Sequence, residues 1–259
     1  MRVSGFAILT LFATAGSALA ADLPASFTKA PPYVPTEIYN WTGFYIGGHV
    51  GGGWAQSDWT FRNRSFFNFN GGAGDSIGTS PSGWLGGAHV GFNYQINHLV
   101  LGIEGTWSAA DIKDTVVSPF FPTEDHETTK ISSLYTVTGR IGAAWDKFLF
   151  YGKGGWAGGE VEVSAVSTAG AGGGTSWNPG KQSRSGWVAG VGLEYMLTQN
   201  FIVGVEYNHI DLGTARYSTL DSGGDTTLTS VDNTTKVDTI VGRLSYKFGG
   251  FGGPVVAKY

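Results

Sequence analysis

The chain has no cysteine, few charged residues and, beyond its first twenty residues, no apolar run near the roughly 18 residues of a membrane-spanning helix. The lack of cysteine excludes disulfides and thiolate metal sites. Charged residues make up 14 % of the chain, against about 25 % in an average soluble domain. The net charge is −4 and no basic block is present, which argues against a nucleic-acid partner. Any membrane crossing must therefore use strands.

Glycine and aromatic residues are abundant instead, and they alternate. The chain has 42 glycines and 14 % aromatic residues. In 43-GFYIGGHVGGGWA-55, Phe44, Ile46 and Trp54 share one face of a strand, whereas His49 and several glycines share the other. Seven further segments repeat this two-residue period. The sequence therefore predicts eight strands.

The predicted connections fall into two classes that alternate along the chain. Short ones lie at 96–98, 146–147 and 198–200, and long polar ones at roughly 56–82, 111–130, 164–185 and 212–235. This rhythm is typical of outer-membrane barrels. We predict an all-β fold, an eight-stranded antiparallel up-and-down transmembrane β-barrel with short periplasmic turns and long external loops.

The content of each strand face separates this barrel from a soluble one such as a lipocalin. The glycines, which make room in a narrow lumen, fall on the same face as the charges, so the apolar face must contact lipid. Aromatic residues stand at both ends of that face, about ten residues or roughly 25 Å apart. The predicted girdles contain Phe44, Trp54, Trp84, Tyr94, Trp107, Tyr135, Trp145, Phe148, Trp156, Trp187, Tyr195, Phe201, Tyr207, Tyr246 and Phe248.

The two ends of the chain carry export signals and an unusual extension. Arg2, an apolar stretch and 18-ALA-20 predict a signal peptide over 1–20 that is cleaved after Ala20; an uncleaved membrane anchor is the alternative. Residues 21–40 are Pro-rich and predict an extended periplasmic lead-in. The barrel is expected over 41–248, followed by a C-terminal extension over 249–259.

Several segments resemble a known family. They are 41-WTGFYIGGHVGGGW-54, 83-GWLGGAHVGFNYQ-95, 151-YGKGGWA-157, 186-GWVAGVGLEYML-197 and 242-GRLSYKF-248. The chain is similar to the alphaproteobacterial outer-membrane immunogenic proteins, a porin-family branch of small OmpA-like barrels. The resemblance implies an outer-membrane location and roles in envelope integrity and surface exposure, without catalysis. Family members commonly end at the terminal aromatic of the last strand, whereas here further residues follow Phe248.

Seven charged residues are predicted to face the lumen: Glu104, Arg140, Lys153, Glu194, Glu206, Arg243 and Lys247. Unpaired buried charges are costly, so we expect a structural charge network. Two alternatives are an acid/base pair of Glu194 and Glu206 for hydrolysis and a selectivity lining for a narrow pore. The first lacks a cleft, and eight strands leave little open lumen.

Histidines raise two ligand hypotheses. If Phe44 pairs with Tyr94, then Trp54 faces Trp84 and His49 faces His89. Glu104 also faces His89 if Tyr94 pairs with Leu99, which resembles a metal triad, although lumen histidines hydrogen-bonded to a glutamate are the simpler interpretation. In 125-DHE-127, a loop histidine has the chemistry of an axial haem ligand.

We therefore expect a structural, surface-exposed envelope barrel with no catalytic, cofactor or metal site. The alternatives are a small-solute channel and haem capture by a loop. The expected partners are outer-membrane lipid, lipopolysaccharide and the barrel-assembly machinery, and the sequence identifies no loop partner.

Overall fold

The computed structural model describes residues 39–62, 73–117, 125–167, 175–220 and 228–249. These residues form ten strands: β1 Gly43–Phe61, β2 Ser76–Thr79, β3 Ser82–Ile96, β4 Leu99–Val117, β5 Asp125–Trp145, β6 Phe148–Ser167, β7 Thr175–Trp177, β8 Lys181–Met196, β9 Phe201–Leu220 and β10 Leu228–Lys247. Within the described ranges, no helix is long and apolar enough to cross a membrane. The signal peptide, most of the lead-in and the end of the extension lie outside these ranges.

Eight long strands close into a barrel. β1, β3, β4, β5, β6, β8, β9 and β10 pair antiparallel with their neighbours in chain order, and β10 pairs with β1 to complete the cycle. The short strands β2 and β7 add to the outer parts of β1 and β6. The predicted eight-stranded up-and-down barrel is confirmed. We call the end that carries the connections after β3, β5 and β8 the turn end, and the opposite end the loop end.

The predicted long loops were too long. β1 continues to Phe61, β4 to Val117 and β9 to Leu220, so much of 56–82, 111–130 and 212–235 is paired strand. The loop predicted over 164–185 is shortened in the same way by β6, β7 and β8. Threonine, serine and charged side chains face outward in these extensions, which made them look like loops. Many of their inward positions remain apolar, as Trp59 and Ile112 show.

The barrel consists of two zones with opposite polarity. In the lower zone, from the turn end to the level of Trp54 and Trp107, the outer wall is apolar, and the lumen is polar above an apolar cluster at the turn end. In the upper zone, beyond that level, the lumen is filled by a buried apolar core that includes Trp59, Phe61 and Val163. An apolar core with a polar outer wall is the arrangement expected in water. The fold therefore combines a lipid-facing barrel with a water-facing extension.

Irregular pairing occurs close to the boundary between the zones. The register shifts between Thr234 and Lys236 on β10, between Ala109 and Ile112 on β4, and between Ile131 and Ser133 on β5. On β9, opposite the first shift, Gly213 has a φ of 65°, and its N–H donates to Asp211 Oδ1 at 2.8 Å. Bulges of this kind strengthen the local twist and redirect side chains.

The first two registers differ by two residues from the prediction. Phe44 pairs with Phe92 rather than with Tyr94, and Trp54 pairs with Ser82 rather than with Trp84. Tyr94 pairs with Leu101 rather than with Leu99.

Two physical causes set the observed registers. β3 and β4 are joined by a tight turn in which Ile96 pairs with Leu99 and Asn97 adopts a φ of 54°. Between β1 and β3, the observed register places Tyr45 opposite Gly91. A Cβ atom at Gly91 would lie 2.3 Å from the Tyr45 hydroxyl, so a glycine is required there.

Candidate functional site: the filled lumen and the lipid-facing wall

An apolar plug fills the lumen at the turn end. Trp41, just before β1, packs with Val100, Leu149, Met196 and Ile202 from β4, β6, β8 and β9, and all five are buried. Trp41 is held in place by its backbone N–H, which donates to Gln95 Oε1 at 2.7 Å. The segment just before β1 therefore closes the lumen at the turn end.

Above the plug lies a layer of six charged side chains, which we call the charge layer: Glu104, Glu194, Glu206, Arg140, Lys153 and Arg243. Each of these side chains is at most 3 % exposed.

The contacts within the charge layer are dense. Arg140 Nη2 lies 2.8 Å from Glu194 Oε2, and Lys153 Nζ lies 2.7 Å from Glu206 Oε1. Arg243 donates to both Glu104 and Glu206. Glu104 also receives Arg140 at 3.4 Å and Lys153 at 3.3 Å. Three acids and three bases thus form one network of balanced charge.

Two tyrosines complete this network, and the sequence analysis missed their role. The Tyr45 hydroxyl donates to Glu104 Oε2 at 2.9 Å and accepts from Arg140 at 3.0 Å. The Tyr151 hydroxyl donates to Glu206 Oε2 at 2.6 Å, and the Arg140 guanidinium lies 3.9 Å from the centre of its ring. The available signal was their phase, since both tyrosines share the two-residue period of the inward charges.

Lys247 is an exception to the predicted set. Its side chain is buried as predicted, but its ammonium group donates to the backbone oxygen of Asn40 near the turn end. Within the described ranges, no carboxylate forms an ion pair with Lys247. It therefore tethers the segment before β1 rather than joining the charge layer.

The two lumen histidines meet, but they contact serines rather than a glutamate and do not form the alternative metal triad. His49 pairs across the sheet with Gly87, and His89 with Gly47, so the rings stack diagonally with centroids 5.6 Å apart. His49 Nε2 lies 2.8 Å from Ser108 Oγ, and His89 Nε2 lies 2.8 Å from Ser245 Oγ.

Glu104, the third member of that hypothetical triad, pairs opposite Gly91 rather than His89 and is engaged by the charge layer. In the part of the chain that the structure describes, no three potential metal ligands converge.

A small cavity separates the charge layer from the upper core. Its volume is about 30 Å³, and its lining includes His49, Thr136, Glu206 and Asn208. Such a volume suits a water molecule. Glu206 and Glu194, the hypothetical acid/base pair, are both held by cations in this region.

The upper core closes the lumen above the cavity. Its lowest members are Leu85, Leu134, Val188, Ile210 and Val241, which are all buried. Higher up, the buried Arg184 donates to Thr235, Tyr217 and Asn233. The described lumen is therefore occupied by side chains from the turn end to the upper zone.

The comparisons with known proteins agree with this architecture. The sequence model of the family described as outer membrane protein beta-barrel domain matches residues 6–248. The chain belongs to this family. Its apolar outer wall is therefore the lipid-facing wall of an outer-membrane barrel.

Two relatives and one solved structure illustrate the similarity. The 31 kDa outer-membrane immunogenic protein of Brucella melitensis biotype 1 is 29 % identical over 93 % of this chain and 97 % of its own length. The 22 kDa outer membrane protein of Rhizobium leguminosarum bv. viciae is 27 % identical over 71 % of this chain and 70 % of its own. The crystal structure of OprG from Pseudomonas aeruginosa matches with a TM-score of 0.42 and 12 % identity, over 82 % of this chain and 100 % of that chain. The names of the two relatives describe outer-membrane proteins and no catalytic activity, and the resemblance inferred from the sequence is confirmed.

All fifteen predicted girdle residues of this outer-membrane barrel lie on its outer wall. Tyr135 and Tyr195 are partly buried there, and the other thirteen are exposed. Near the turn end, Phe148 packs at a tilt against Tyr195 with centroids 4.8 Å apart; near the zone boundary, the ring centroids of Tyr135 and Trp156 are 5.6 Å apart. Phe92, which the prediction of the girdles left out, packs at a tilt against Phe44 with ring centroids 4.7 Å apart.

The histidine considered for haem lies on a strand rather than in a loop. His126 is exposed on β5, where it pairs opposite Val117 and Val166. Its neighbours across the sheet are thus aliphatic side chains.

Proposed function

We propose that this outer-membrane barrel is a closed structural element of the envelope whose loop end is presented at the cell surface. The observation that carries the proposal is the filling of the lumen by successive layers. These layers are the plug around Trp41, the charge layer, the pair of histidines His49 and His89, and the upper core. A diffusion porin, by contrast, uses 16 to 18 strands to leave an aqueous channel. A solute would have to displace several of these layers at once.

The charge layer acts, in this proposal, as internal support rather than as a catalytic or selectivity site. Glu194 and Glu206, the two candidates for acid/base work, are bound by Arg140 and Lys153 at 2.8 and 2.7 Å. In the described part of the lumen, the cavity beside Glu206 holds about 30 Å³, which is too small for a substrate. The barrel is accordingly proposed not to be an enzyme.

The proposal also includes the predictions for the two ends of the chain, the aromatic girdles and the lipid contacts. The signal peptide over 1–20 is removed after Ala20, and the lead-in over 21–40 lies in the periplasm. The aromatic girdles sit in the two interfacial layers of the membrane, where amphipathic rings are favoured. The outer wall contacts lipid and, in the outer leaflet, lipopolysaccharide. The assembly machinery reads a terminal aromatic, either Phe248 at the end of the last strand or Tyr259 at the end of the extension.

Single-channel recording tests the closure of the lumen. The refolded protein, spanning residues 21–259, is added to planar bilayers beside a 16-stranded diffusion porin as the positive control. We expect no steady conductance from this barrel, because the plug and the charge layer block its axis. Sustained steps on the scale of the porin would overturn the proposal and favour the channel alternative.

A further inference from the structure

Charged and polar side chains form a column on the outer wall between β9 and β10, which we call the β9–β10 seam. It starts between Trp54 on β1 and Trp187 on β8, whose cross-strand partners are Asp238 and Asp211. The column continues upward into the upper zone. Most of the outer wall below it is apolar.

The lower part of the seam lies at the depth of the two tryptophans. Asp238 Oδ1 accepts from the Tyr207 hydroxyl at 2.6 Å and contacts His209 Nδ1 at 2.8 Å. Lys236 follows two positions further up β10, directly opposite Asp211, and is exposed. Tryptophans mark the interfacial layer of a membrane. This part of the seam therefore meets the headgroup region of the outer leaflet.

The upper part of the seam contains two arginines that are held by one acid on β10. Arg216 lies on β9, and Arg62 follows the last residue of β1, which pairs with the other side of β10. Arg216 Nε and Arg62 Nε donate to the two oxygens of Asp232 at 2.8 and 2.6 Å. The Asp232 side chain is only 11 % exposed, whereas those of Arg62 and Arg216 are 57 and 60 % exposed. Asp232 is six positions above Asp238 on β10, which corresponds to roughly 15 Å along the barrel axis.

The acids of the seam are recessed, and the cations project from it. Asp211 accepts from the N–H of Gly213, Asp238 from Tyr207, and Asp232 from both arginines. The hydrogen bonds from Arg216 and Arg62 hold the pKa of the Asp232 carboxyl below its usual range, so it stays ionised and keeps the guanidinium groups in position. The seam thus presents the N–H groups of Lys236, Arg62 and Arg216 to the surroundings of the outer leaflet.

We propose that the β9–β10 seam binds the phosphorylated headgroup of an outer-leaflet glycolipid, with Lys236 contacting a phosphate at the membrane surface and Arg62 and Arg216 contacting the anionic sugars above it. Arginine and lysine are the usual donors to phosphate and carboxylate, and a preoriented guanidinium adds geometric selectivity. The proposal rests on the contact with lipopolysaccharide made under the proposed function and names its site.

A second pair of exposed cations provides a matched control on another part of the wall. Lys113 and Lys130 stand opposite each other on β4 and β5, with Asp111 at 3.4 and 4.0 Å from their ammonium groups. Two charges can be removed there without touching the seam. The double variants Arg216→Gln/Lys236→Gln and Lys113→Gln/Lys130→Gln therefore lose the same net charge at different sites.

Native mass spectrometry of the refolded full-length barrel, titrated with diphosphoryl lipid A that retains its inner-core sugars, tests the proposal. We expect the seam variant to weaken the apparent Kd by about tenfold or more, since each lost charge-assisted contact contributes to affinity. The control variant should bind nearly as well as the parent, whereas Arg216→Lys, which keeps the charge but loses the guanidinium, should bind less tightly than the parent and more tightly than the seam variant. Inorganic phosphate, used as a competitor in excess, should displace little glycolipid if the whole headgroup is recognised.

Two results would overturn the proposal, and they differ in what else they affect. Equal binding by the parent and the seam variant would exclude the seam but preserve the contact with lipopolysaccharide. An absence of binding by the parent would exclude both, while the closed lumen would still be tested separately by conductance. A heat-dependent gel shift of each variant establishes that it has folded before it is titrated.

Discussion

Each carboxylate of the charge layer is shared between at least two cations. Glu104 contacts Arg140, Lys153 and Arg243, whereas Glu194 relies mainly on Arg140, with Arg243 Nε at 3.8 Å. Glu104 is thus the centre of the layer, and Glu194 lies at its edge. The loss of an edge acid leaves one defined cation short of its partner, which makes Glu194 the better residue for an experiment.

The first prediction concerns this edge pair. Glu194→Gln should lower the free energy of unfolding by about 3–5 kcal/mol, because it leaves Arg140 buried without its main partner. Glu194→Gln/Arg140→Gln should recover most of that loss. Glu194→Gln/Lys153→Gln is the control, since Lys153 pairs with Glu104 and Glu206 instead. Urea midpoints of the refolded variants in detergent measure these differences.

An absence of energetic coupling between Glu194 and Arg140 would contradict the proposed charge network. If Glu194→Gln is as stable as the parent and its coupling to Arg140→Gln is below about 0.5 kcal/mol, the two side chains do not interact in solution. The charge layer would then be hydrated rather than structural.

The inward position of the charges could be predicted from the sequence, but their partners could not. The two-residue period places every second side chain in the lumen, which is why all seven predicted charges are buried. Pairing depends on the register between strands, and contacts such as that of Tyr45 over Gly91 set the register. A shift of two residues keeps the faces but changes the partners, so the predicted register was wrong while the inward faces were right.

The strands themselves cross the zone boundary without interruption. β4 carries the exposed Ile103 in the lower zone and the exposed Val117 in the upper zone, fourteen positions apart. The two side chains are similar in kind, but their surroundings differ, because lipid covers one and water the other. A charge placed at each position therefore reports the local solvent.

The second prediction uses this pair. Ile103→Arg should destabilise the barrel by about 2–4 kcal/mol, since it places a charge near the middle of the lipid-facing band. Val117→Arg should change stability by less than about 0.5 kcal/mol, as an exposed substitution in water usually does. Unfolding by urea in lipid vesicles provides both values. Equal destabilisation at the two positions would mean that the zone boundary is misplaced.

The outer ends of the strands were predicted as loops because the surroundings of the outer wall change from lipid to water at the zone boundary. Apolar residues on the outer face identified the strands in the lower zone, and polar residues replace them on the same face in the upper zone. Thr115 and Thr128, for example, face each other across β4 and β5 in a segment predicted as loop. The inward apolar residues of the upper zone, such as Ile131 and Val161, carried the correct signal.

The barrel is one closed sheet whose two ends differ in structure. The described strands β1 and β10 begin and end at the turn end, where the N–H of Phe248 donates to the oxygen of Phe44 at 2.8 Å. The same end carries the plug and the tight turns at Asn97 and Asp146. The loop end carries the water-facing upper zone. The proposed function places the plug in contact with the periplasm and the upper zone outside the cell.

The third prediction tests this direction in intact cells, and it exploits the absence of cysteine from the sequence, because each single-cysteine variant carries only one reactive thiol. A membrane-impermeant maleimide should label Lys181→Cys and Ser218→Cys in the upper zone, where both positions are exposed. It should leave His98→Cys and Gln199→Cys at the turn end unlabelled until the outer membrane is permeabilised. Labelling of His98→Cys and Gln199→Cys in sealed cells, with Lys181→Cys and Ser218→Cys protected, would require the opposite orientation and would move the β9–β10 seam away from the outer leaflet.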